Sequence, residues 1–469
     1  MTIEPRRLHR ASIVLNALRA LRELLLPIVV ALVTGFSAGD GDPGFALLTA
    51  AVGVLGAVGA GYRRWATTTW WIDNGAIHLR GGLMSIDETI VPLSRIQAID
   101  TSQNPIQRLF GIVELRVQAA GGGKAAEIVL NALTAADAEV LRAAVGQPDP
   151  AGTGTESMRL GVGALLLGAL TAPQLGVLLP LVGGAASIAD DVLAKFVDPS
   201  LVERLETPRA IVLVGTVCLL GAWLISIAGA IAAFFAFTLE RDGDRLRIRR
   251  GLGERRVSSL PLSRIHAVSL VEGVLRQPLG LASLRVEVAG YRQEPATAKT
   301  LFPLIPRRDA EALLTRFVPE LAGALGALER PPARAWRRYV SPPVLLAVVA
   351  AAILQAALDL EWRWITGIVA VLVFAAAAFG ALQYRAAGWR IDAGRVVLSG
   401  RRLSRWTLVA DTMRLQEHSL EQDPWQRRAR LANFELAVGS GRTAGIADID
   451  IETAEMLFEE LNAGELEHY

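Results

Sequence analysis

The chain has 469 residues, of which 52% are hydrophobic and 20% are charged, and its mean hydropathy is +0.37. Its net charge is only +2, and the charged residues are concentrated between long apolar runs. This composition excludes a chain that is apolar throughout and indicates membrane spans that alternate with soluble domains. The single cysteine, Cys218, excludes a disulfide or a thiolate metal site within one chain.

One block occurs three times along the chain: two apolar runs of membrane-spanning length, followed by an arginine-rich segment patterned as strands. The copies align without a gap, because residues 77–121 match 246–290 and residues 70–120 match 389–439. Internal repetition on this scale predicts three domains of one fold, each preceded by a membrane segment.

The N-terminal residues 13–21 are predicted to form an amphipathic helix at the membrane interface, with apolar residues on one face beside Arg19 and Arg22. The alternative is an N-terminal extension of the first span. A cleaved signal peptide is a further alternative, because residues 37–39 are small and follow an apolar run. The long charged stretch before that run, and the second span directly after it, favour a chain that is not cleaved.

Six apolar runs approach the length of about 20 residues that a membrane-spanning helix needs. They form three pairs, near residues 24–39, 45–61, 160–186, 211–235, 344–358 and 364–382. Arginines flank these pairs on the side of the strand-rich segments, whereas the opposite connections are rich in acidic residues. An excess of positive charge marks the cytoplasmic end of a span. We therefore predict a multi-pass protein of the cytoplasmic (inner) membrane, with both termini and all three soluble domains in the cytoplasm.

The predicted soluble domains comprise residues 62–146, 237–318 and 385–463. The remaining segments are the interfacial helix and first pair at 1–61, a linker at 147–158, the second pair at 159–236, a linker at 319–340, the third pair at 341–384 and a tail at 464–469.

Each soluble domain is patterned as antiparallel strands followed by one helix. In the first domain, strands at residues 68–72 and 76–81 flank Asn74-Gly75, and Asn-Gly between alternating apolar residues is a strong hairpin signal. A helical period closes the domains at residues 135–145, 307–318 and 452–461. Several short strands capped by one helix predict a small barrel or an orthogonal sandwich.

The repeated residues resemble a known family. Each pair of spans precedes a strand-rich domain, which in the first copy carries Pro-Leu-Ser-Arg-Ile at 92–96 and Asn-Pro-Ile-Gln-Arg-Leu-Phe-Gly-Ile at 104–112. This arrangement is similar to the bacterial membrane-flanked pleckstrin-homology-like (PH-like) domain family, in a form with three copies. The resemblance implies an α+β membrane protein with six transmembrane helices in three pairs, each pair followed by a PH-like split β-barrel capped by a C-terminal helix. It implies no catalytic activity, and the third copy departs from it by lacking Pro-Leu-Ser and Phe-Gly.

No motif in the chain carries catalytic chemistry. The five histidines lack the spacing typical of zinc sites, and the chain has no phosphate-binding loop and no nucleophile elbow. We therefore expect no enzyme activity, no catalytic residue, no metal and no cofactor. The apolar runs also hold few ionisable residues, which argues against a conduction path.

The second soluble domain is the only basic one, with 15 Lys and Arg against 9 Asp and Glu. Arg245, Arg247 and Arg249 alternate along a predicted strand, so they share one face. The following turn adds Arg250, Arg255 and Arg256. These six arginines are a candidate site for anionic lipid head groups, because guanidinium groups pair well with phosphate. The alternative is that they keep the strand soluble and protect a sheet edge from pairing.

A second set of residues recurs at equivalent positions of the repeats. It comprises Arg95, Arg264 and Arg414, then Gln97 and Gln416, then Arg108 and Arg427. They provide either one ligand contact per domain or, in the interpretation that we favour, hydrogen bonds to turn carbonyls or to a carboxylate within the barrel.

The leading hypothesis is a non-enzymatic membrane scaffold whose three domains bind protein partners or anionic lipid, with a role in maintaining the cell envelope. The expected partners are membrane lipids and a protein, either a shorter single-copy relative or a second copy of this chain. Nucleic acid is not expected, because the basic domain lacks interleaved aromatic residues. The alternative function is a transporter of lipids or amphiphiles, or an accessory subunit for their export.

Overall fold

The computed structural model describes residues 2–37, 43–82, 86–119, 127–145, 156–171, 208–288, 299–358 and 362–466. They form two compact units, one of Met1–Arg159 with Ala236–Leu262 and one of Leu160–Phe235 with Ser263–Tyr469. The second repeat is therefore divided, because its early strands belong to the first unit and its later strands to the second unit.

Two long helices open the first unit and pack against each other. They are α1 (Ser12–Ser37) and α2 (Pro43–Thr67). The predicted interfacial segment at 13–21 is the first part of α1, because that helix continues without a break to Ser37. The structure thus favours the alternative of an N-terminal extension.

The first repeat begins with a four-stranded antiparallel sheet in the order β1-β2-β3-β4. Its strands are β1 (Ile3–Arg7), β2 (Thr69–Asp73), β3 (Ala76–Gly81) and β4 (Asp87–Pro92). The predicted hairpin at Asn74-Gly75 is confirmed, since both residues have positive φ, at 48° and 71°, as the tight turn between β2 and β3 requires. Strand β1 was not predicted; it adds to the outer edge of β2.

The second sheet of the first unit has seven strands, in the order β7-β6-β5-β11-β10-β9-β8. It contains β5 (Ile96–Gln103), β6 (Ile112–Ala119), β7 (Glu127–Thr134), β8 (Glu156–Arg159), β9 (Thr238–Asp242), β10 (Arg245–Arg250) and β11 (Arg255–Pro261). Helix α3 (Pro105–Leu109) connects β5 to β6, and α4 (Ala135–Ala144) follows β7. This sheet therefore combines strands of the first and second repeats.

The core of the first repeat lies between its two sheets and α4. Trp70 and Ile77 come from the four-stranded sheet, Leu115 and Leu130 from the seven-stranded sheet, and Leu141 from α4; all five are fully buried. A core between two sheets, closed by a C-terminal helix, agrees with the predicted barrel or sandwich.

The second unit holds the rest of the second repeat and all of the third. Its helices are α5 (Val162–Leu170), α6 (Pro208–Phe234), α7 (Ala310–Phe317), α8 (Trp336–Leu358), α9 (Trp362–Ala386), α10 (Pro424–Ala429) and α11 (Ile451–Leu466). Its strands are β12 (Ile265–Glu272), β13 (Leu281–Val288), β14 (Thr300–Pro306), β15 (Gly388–Asp392), β16 (Arg395–Arg401), β17 (Arg405–Asp411), β18 (Leu415–Glu421), β19 (Leu431–Val438) and β20 (Thr443–Asp450). They form a six-stranded sheet, β14-β13-β12-β17-β16-β15, and a three-stranded sheet, β18-β19-β20.

Within the described part of the chain, three helices are long and apolar enough to cross a membrane: Gly215–Phe234, Ala333–Ala356 and Ile365–Ala386. They coincide with the predicted fourth, fifth and sixth spans. The predicted third span at 160–186 begins in α5, which ends at Leu170, and continues outside the described residues from 172 onwards. The structure therefore supports a mixed α/β membrane protein with three candidate spans, rather than the predicted six spans in three pairs.

Candidate functional site at the junctions between repeats

Neighbouring repeats are joined by direct strand pairing. In the first unit, β5 of the first repeat pairs antiparallel with β11 of the second, from Gln103 opposite Arg255 to Ile99 opposite Ser259. In the second unit, β12 of the second repeat pairs in the same way with β17 of the third. Each junction thus links the strand after the recurring arginine of one repeat to the strand before that arginine in the next. These positions are called the fifth and the fourth strand, as they are counted in the first two repeats; the described strands of the third repeat start one position later, so β17 and β18 hold them there.

Both junctions have the same register. Glu272 faces Arg405 in the second junction, as Gln103 faces Arg255 in the first. Gln103 and Glu272 are equivalent positions of the repeat, as are Arg255 and Arg405. The register of a sheet is set by which side chains must face the core, so two copies that keep the same alternation pair in the same way.

A buried carboxylate stabilises the second junction. Glu272, at the end of β12, is 3% exposed and accepts a hydrogen bond from Arg307, and Arg405 of the third repeat lies 3.8 Å away. Burial lowers the pKa of Arg405, as does the positive charge of Arg307, whereas Glu272 raises it. Glu272 therefore lies between two cations from different repeats.

A second ion pair crosses the same junction. Glu287 on β13 is 2% exposed and accepts a hydrogen bond of 2.6 Å from Arg442 of the third repeat and one of 2.9 Å from Ser440. Since a buried ion needs hydrogen-bonding partners, these contacts tie the turn after β19 to the second repeat.

The recurring Arg414 joins the third repeat to the second repeat. It donates a hydrogen bond of 2.6 Å to the carbonyl oxygen of Ile265 in the second repeat and one of 2.9 Å to Glu320 in the segment that follows that repeat. His266 lies next to this contact, and burial, then Arg414 and Arg264, lower its pKa. Arg264 itself is half-buried.

The residue at the position of Arg108 also acts between repeats. Arg108, on α3, donates hydrogen bonds to the carbonyl oxygens of Leu252 and Gly253, 3.3 and 3.1 Å away, in the turn that follows β10. Its equivalent in the second repeat, Gln277, accepts a hydrogen bond from Arg401 at the corresponding turn of the third repeat. The predicted bonds to turn carbonyls exist, but those of Arg108 and Arg414 cross to a neighbouring repeat. The predicted pairing with a carboxylate of the same repeat is present at Arg414, whose Nε lies 3.3 Å from Asp411.

The equivalents of these residues in the outer strands of the first and third repeats contact no further repeat in the described part of the chain. Arg95 follows β4, which is an outer strand of its sheet, and Arg427 lies on α10 beside the outer strand β18. Both side chains are exposed, and neither has a hydrogen-bond or ion-pair partner in the described part of the chain. Gln416 on β18 is also exposed, and the side chain of Gln97 lies outside the described residues.

The short helix after the fifth strand begins with a capping box in the first and third repeats. Asn104 and Gln107 bond each other's backbone N–H groups, and Asp423 and Gln426 do the same. The second repeat has Arg276 at the equivalent position. Arg276 is buried and donates to Thr171 and to the carbonyl oxygens of Gly168 and Pro303, and burial lowers its pKa to about 10. We did not single out this residue from the sequence, although its alignment with two glutamines was the available signal.

The structure places the predicted arginines on one face of a strand, but that face is not fully exposed to solvent. Arg245, Arg247 and Arg249 lie on the side of β10 opposite the buried Leu246 and Ile248. Our expectation that the three side chains are exposed is wrong for Arg247, which is 9% exposed.

An acidic residue on the neighbouring strand explains this burial. Glu240 on β9 lies 3.8 Å from Arg247 and 3.7 Å from Arg249. Arg250 is also buried, whereas Arg255 is exposed and Arg256 donates to Glu254. The alternative of edge protection is wrong as well, because β10 is paired on both sides.

A cavity that was not predicted lies in the second unit, where α8 and α9 meet the third repeat. Its volume is about 610 Å³, and its lining includes Arg338, Arg401, Arg402, Arg442, Pro342 and Pro343. Glu435 and Asp448 are the acidic residues in the lining. Arg338 bonds Asp448 and Asp423 at 2.6 Å, but the exposed Arg402 side chain has no partner in the described part of the chain. The cavity is therefore a concave and basic site beside two candidate spans.

Candidate membrane helices, followed by sheets that share a core with one C-terminal helix, define the class of this protein. A family model described as bacterial PH domain matches residues 23–148, 177–318 and 344–465. These matches cover more than half of the chain, so it belongs to the bacterial PH domain family, as the resemblance implied.

The chain is also similar, along most of its length, to a transmembrane protein. It is 26% identical over 469 residues to the UPF0699 transmembrane protein YdbT of Bacillus subtilis (strain 168), and the alignment covers 94% of each chain. No solved structure matches the chain. The protein is thus a membrane protein with repeated bacterial PH domains.

Replacing Glu272 by Ala should destabilise the second unit by about 3–5 kcal/mol, because Arg307 and Arg405 would then lie close together without the buried anion. Thermal or denaturant unfolding of the full chain in mild detergent measures this change in the free energy of unfolding. The matched control is Glu417→Ala on the exposed strand β18, which should change stability by less than about 0.5 kcal/mol. Equal effects of the two substitutions would contradict the assigned role of Glu272.

Proposed function

We propose that the protein is a non-enzymatic integral membrane scaffold whose three PH-like repeats bind protein partners. The observation that carries this proposal is the repeated junction, in which the fifth strand of one repeat pairs with the fourth strand of the next. Two strands of these types, β4 and β18, remain as outer strands. An outer strand presents backbone N–H and C=O groups to which another strand can be added.

The proposed orientation places both termini and all repeats in the cytoplasm. Arg334, Arg337 and Arg338 precede or begin α8, and Arg385 lies near the end of α9. These two helix ends are adjacent, since the rings of Tyr339 and Tyr384 lie 5.7 Å apart. Positive charge at the end beside the third repeat supports a cytoplasmic position for that repeat.

The cavity of the third repeat supports a second candidate function, the binding of an anionic lipid or amphiphile. Its four arginines outnumber its two acidic residues, and Pro342 and Pro343 place it beside a candidate span. An arginine near a membrane surface contributes about 1 kcal/mol to the attraction of anionic lipid. This cavity fits the lipid hypothesis better than the arginine face of β10, where Arg247 is buried near Glu240.

The proposed topology predicts the activity of alkaline phosphatase fusions, because that enzyme is active only outside the cytoplasm. Fusions after Asp42 or Asp198 should be active, and fusions after Gln118 or Glu287 should be inactive. Immunoblotting for equal amounts of each fusion is the control. Activity after Gln118 would place the first repeat outside the cytoplasm and remove the basis for a cytoplasmic scaffold.

A photo-crosslinking amino acid at Glu417, which is exposed on β18, should form covalent adducts with protein in intact cells. The matched control is the same amino acid at Arg308, which is 88% exposed and belongs to neither β4 nor β18. Adducts of defined protein mass at 417 alone are the expected result. An absence of protein adducts at 417, or the same adducts at both positions, would count against the scaffold.

Replacing Arg402 by Glu should lower the affinity of the full chain for phosphatidylglycerol by about tenfold or more, because it reverses the charge of an arginine that lines the cavity. Native mass spectrometry in detergent, with phosphatidylcholine as the neutral comparison, measures the bound lipid. Arg308→Glu provides the control with an equal change of charge. Salt should weaken the binding, and equal losses in both variants would reject the cavity as the site.

A further inference from the structure

The two outer strands at the ends of the repeat series are of the two types that pair at the junctions. Strand β4 holds the fourth-strand position of its repeat, like β11 and β17, and β18 holds the fifth-strand position, like β5 and β12. The shared register of the junctions therefore predicts what each residue of β18 would face. Glu421 would lie opposite the residue at the position of Asp87, and Ser419 opposite the residue at the position of Thr89.

The residues around β18 include equivalents of those that form hydrogen bonds across the existing junctions. In the first junction, Arg108 donates to the turn that precedes the incoming fourth strand, and the equivalent Arg427 is exposed and has no partner in the part of the chain that the structure describes. In the second junction, the carbonyl oxygen of Ile265 accepts from Arg414. Its equivalent at the start of β18 is the carbonyl oxygen of Leu415.

Charge determines which fourth strand fits this edge. The fourth strands at the existing junctions begin with basic residues, Arg255 and Arg256 in β11 and Arg405 in β17. Strand β4 begins with Asp87, which aligns with Arg256, and with Glu88; Ile86 precedes it at the position of Arg255 and Arg405.

Strand β18 is acidic as well, because it carries Glu417 and Glu421. In the junction register, a second copy of the chain would place its Asp87 opposite Glu421. Like charges directly opposite each other destabilise a strand pair, so the edge disfavours a second copy and favours a basic strand.

We propose that β18 is a docking site for the fourth strand of a PH-like repeat in a different chain, one whose fourth strand begins with arginine. The incoming arginines face Glu421 and its neighbours, an arginine of the partner donates to the carbonyl oxygen of Leu415, and Arg427 donates to the partner's turn. This inference rests on the proposed scaffold function and names its partner class. The contact is heterologous, because the two chains contribute different strands to it. The partner's strand extends the sheet that contains β18.

The test uses the chain itself as the probe, by giving its own fourth strand the charge that the site requires. The double substitution Asp87→Arg with Glu88→Arg should raise the association constant of the full chain in mild detergent by about tenfold or more, measured by light scattering after size exclusion. The reciprocal substitution, Glu417→Arg with Glu421→Arg, should give a similar gain, because it leaves β4 acidic and makes β18 basic. All four substitutions together should return the constant to the wild-type value.

A control variant separates the edge from a general effect of charge. Glu455→Arg with Glu459→Arg makes the same change on the exposed face of α11 and should leave association unchanged. The two reciprocal variants alter different strands, so a folding defect in one leaves the other as a test.

The register is tested with cysteines in a Cys218→Ser background. In the Asp87→Arg, Glu88→Arg chain, Thr89→Cys and Ser419→Cys on separate molecules should form a disulfide between chains, whereas Thr89→Cys with Leu420→Cys should not. The proposal is overturned if neither reciprocal variant associates, if the control variant associates equally, or if the Thr89 and Ser419 cysteines join wild-type chains or join within one chain. In those cases the photo-crosslinking result at Glu417 still decides whether the protein is a scaffold for partners of another kind.

Discussion

The pairing of a fifth strand with the fourth strand of the next repeat is the interaction on which the organisation of this protein depends. It turns what would be separate small sheets into a seven-stranded and a six-stranded sheet. It also explains why the second repeat is divided between two compact units, since each half of that repeat pairs with a different neighbour. Side chains at the junctions, such as Glu272 and Arg414, then add ion pairs and hydrogen bonds between the repeats.

This organisation separates two tasks that the repeats share. The candidate spans precede most strands of the second repeat and all described strands of the third repeat along the chain, and each junction joins two neighbouring repeats in one sheet. The outer strands β4 and β18 are both acidic: β4 carries Asp87 and Glu88, and β18 carries Glu417 and Glu421. Charged residues on outer strands prevent unwanted pairing, and here they also distinguish a partner with a basic strand from a second copy of the chain.

Much of each repeat could be predicted from the sequence because its signals are local. Asn74-Gly75 marked a hairpin that the structure contains, and the apolar runs near 211–235, 344–358 and 364–382 coincide with helices long enough to span a membrane. The family resemblance rested on contiguous motifs and was confirmed by three matches along the chain.

The junctions could not be predicted in this way, because strand alternation indicates which face is buried but not which strand is the neighbour. For the same reason the arginines of β10 were expected on an exposed face, although Glu240 lies beside Arg247 in the folded sheet. Arg108 and Arg414 make structural hydrogen bonds, but two of the carbonyl acceptors, Gly253 and Ile265, lie more than 140 residues away in sequence. The cavity beside Arg402 combines residues from α8, α9 and the third repeat, so a local sequence pattern does not predict it.

Hydrogen exchange of the purified full chain tests the strand junctions most directly. Backbone amides exchange slowly when they are hydrogen-bonded in stable structure, and β12 is paired on both sides whereas β18 is paired on one side only. The junctions predict slow exchange throughout β11, β12 and β17, and fast exchange at alternate amides of β4 and β18. Fast exchange at the alternate amides of β12 and β17 that face each other would contradict the pairing of the repeats.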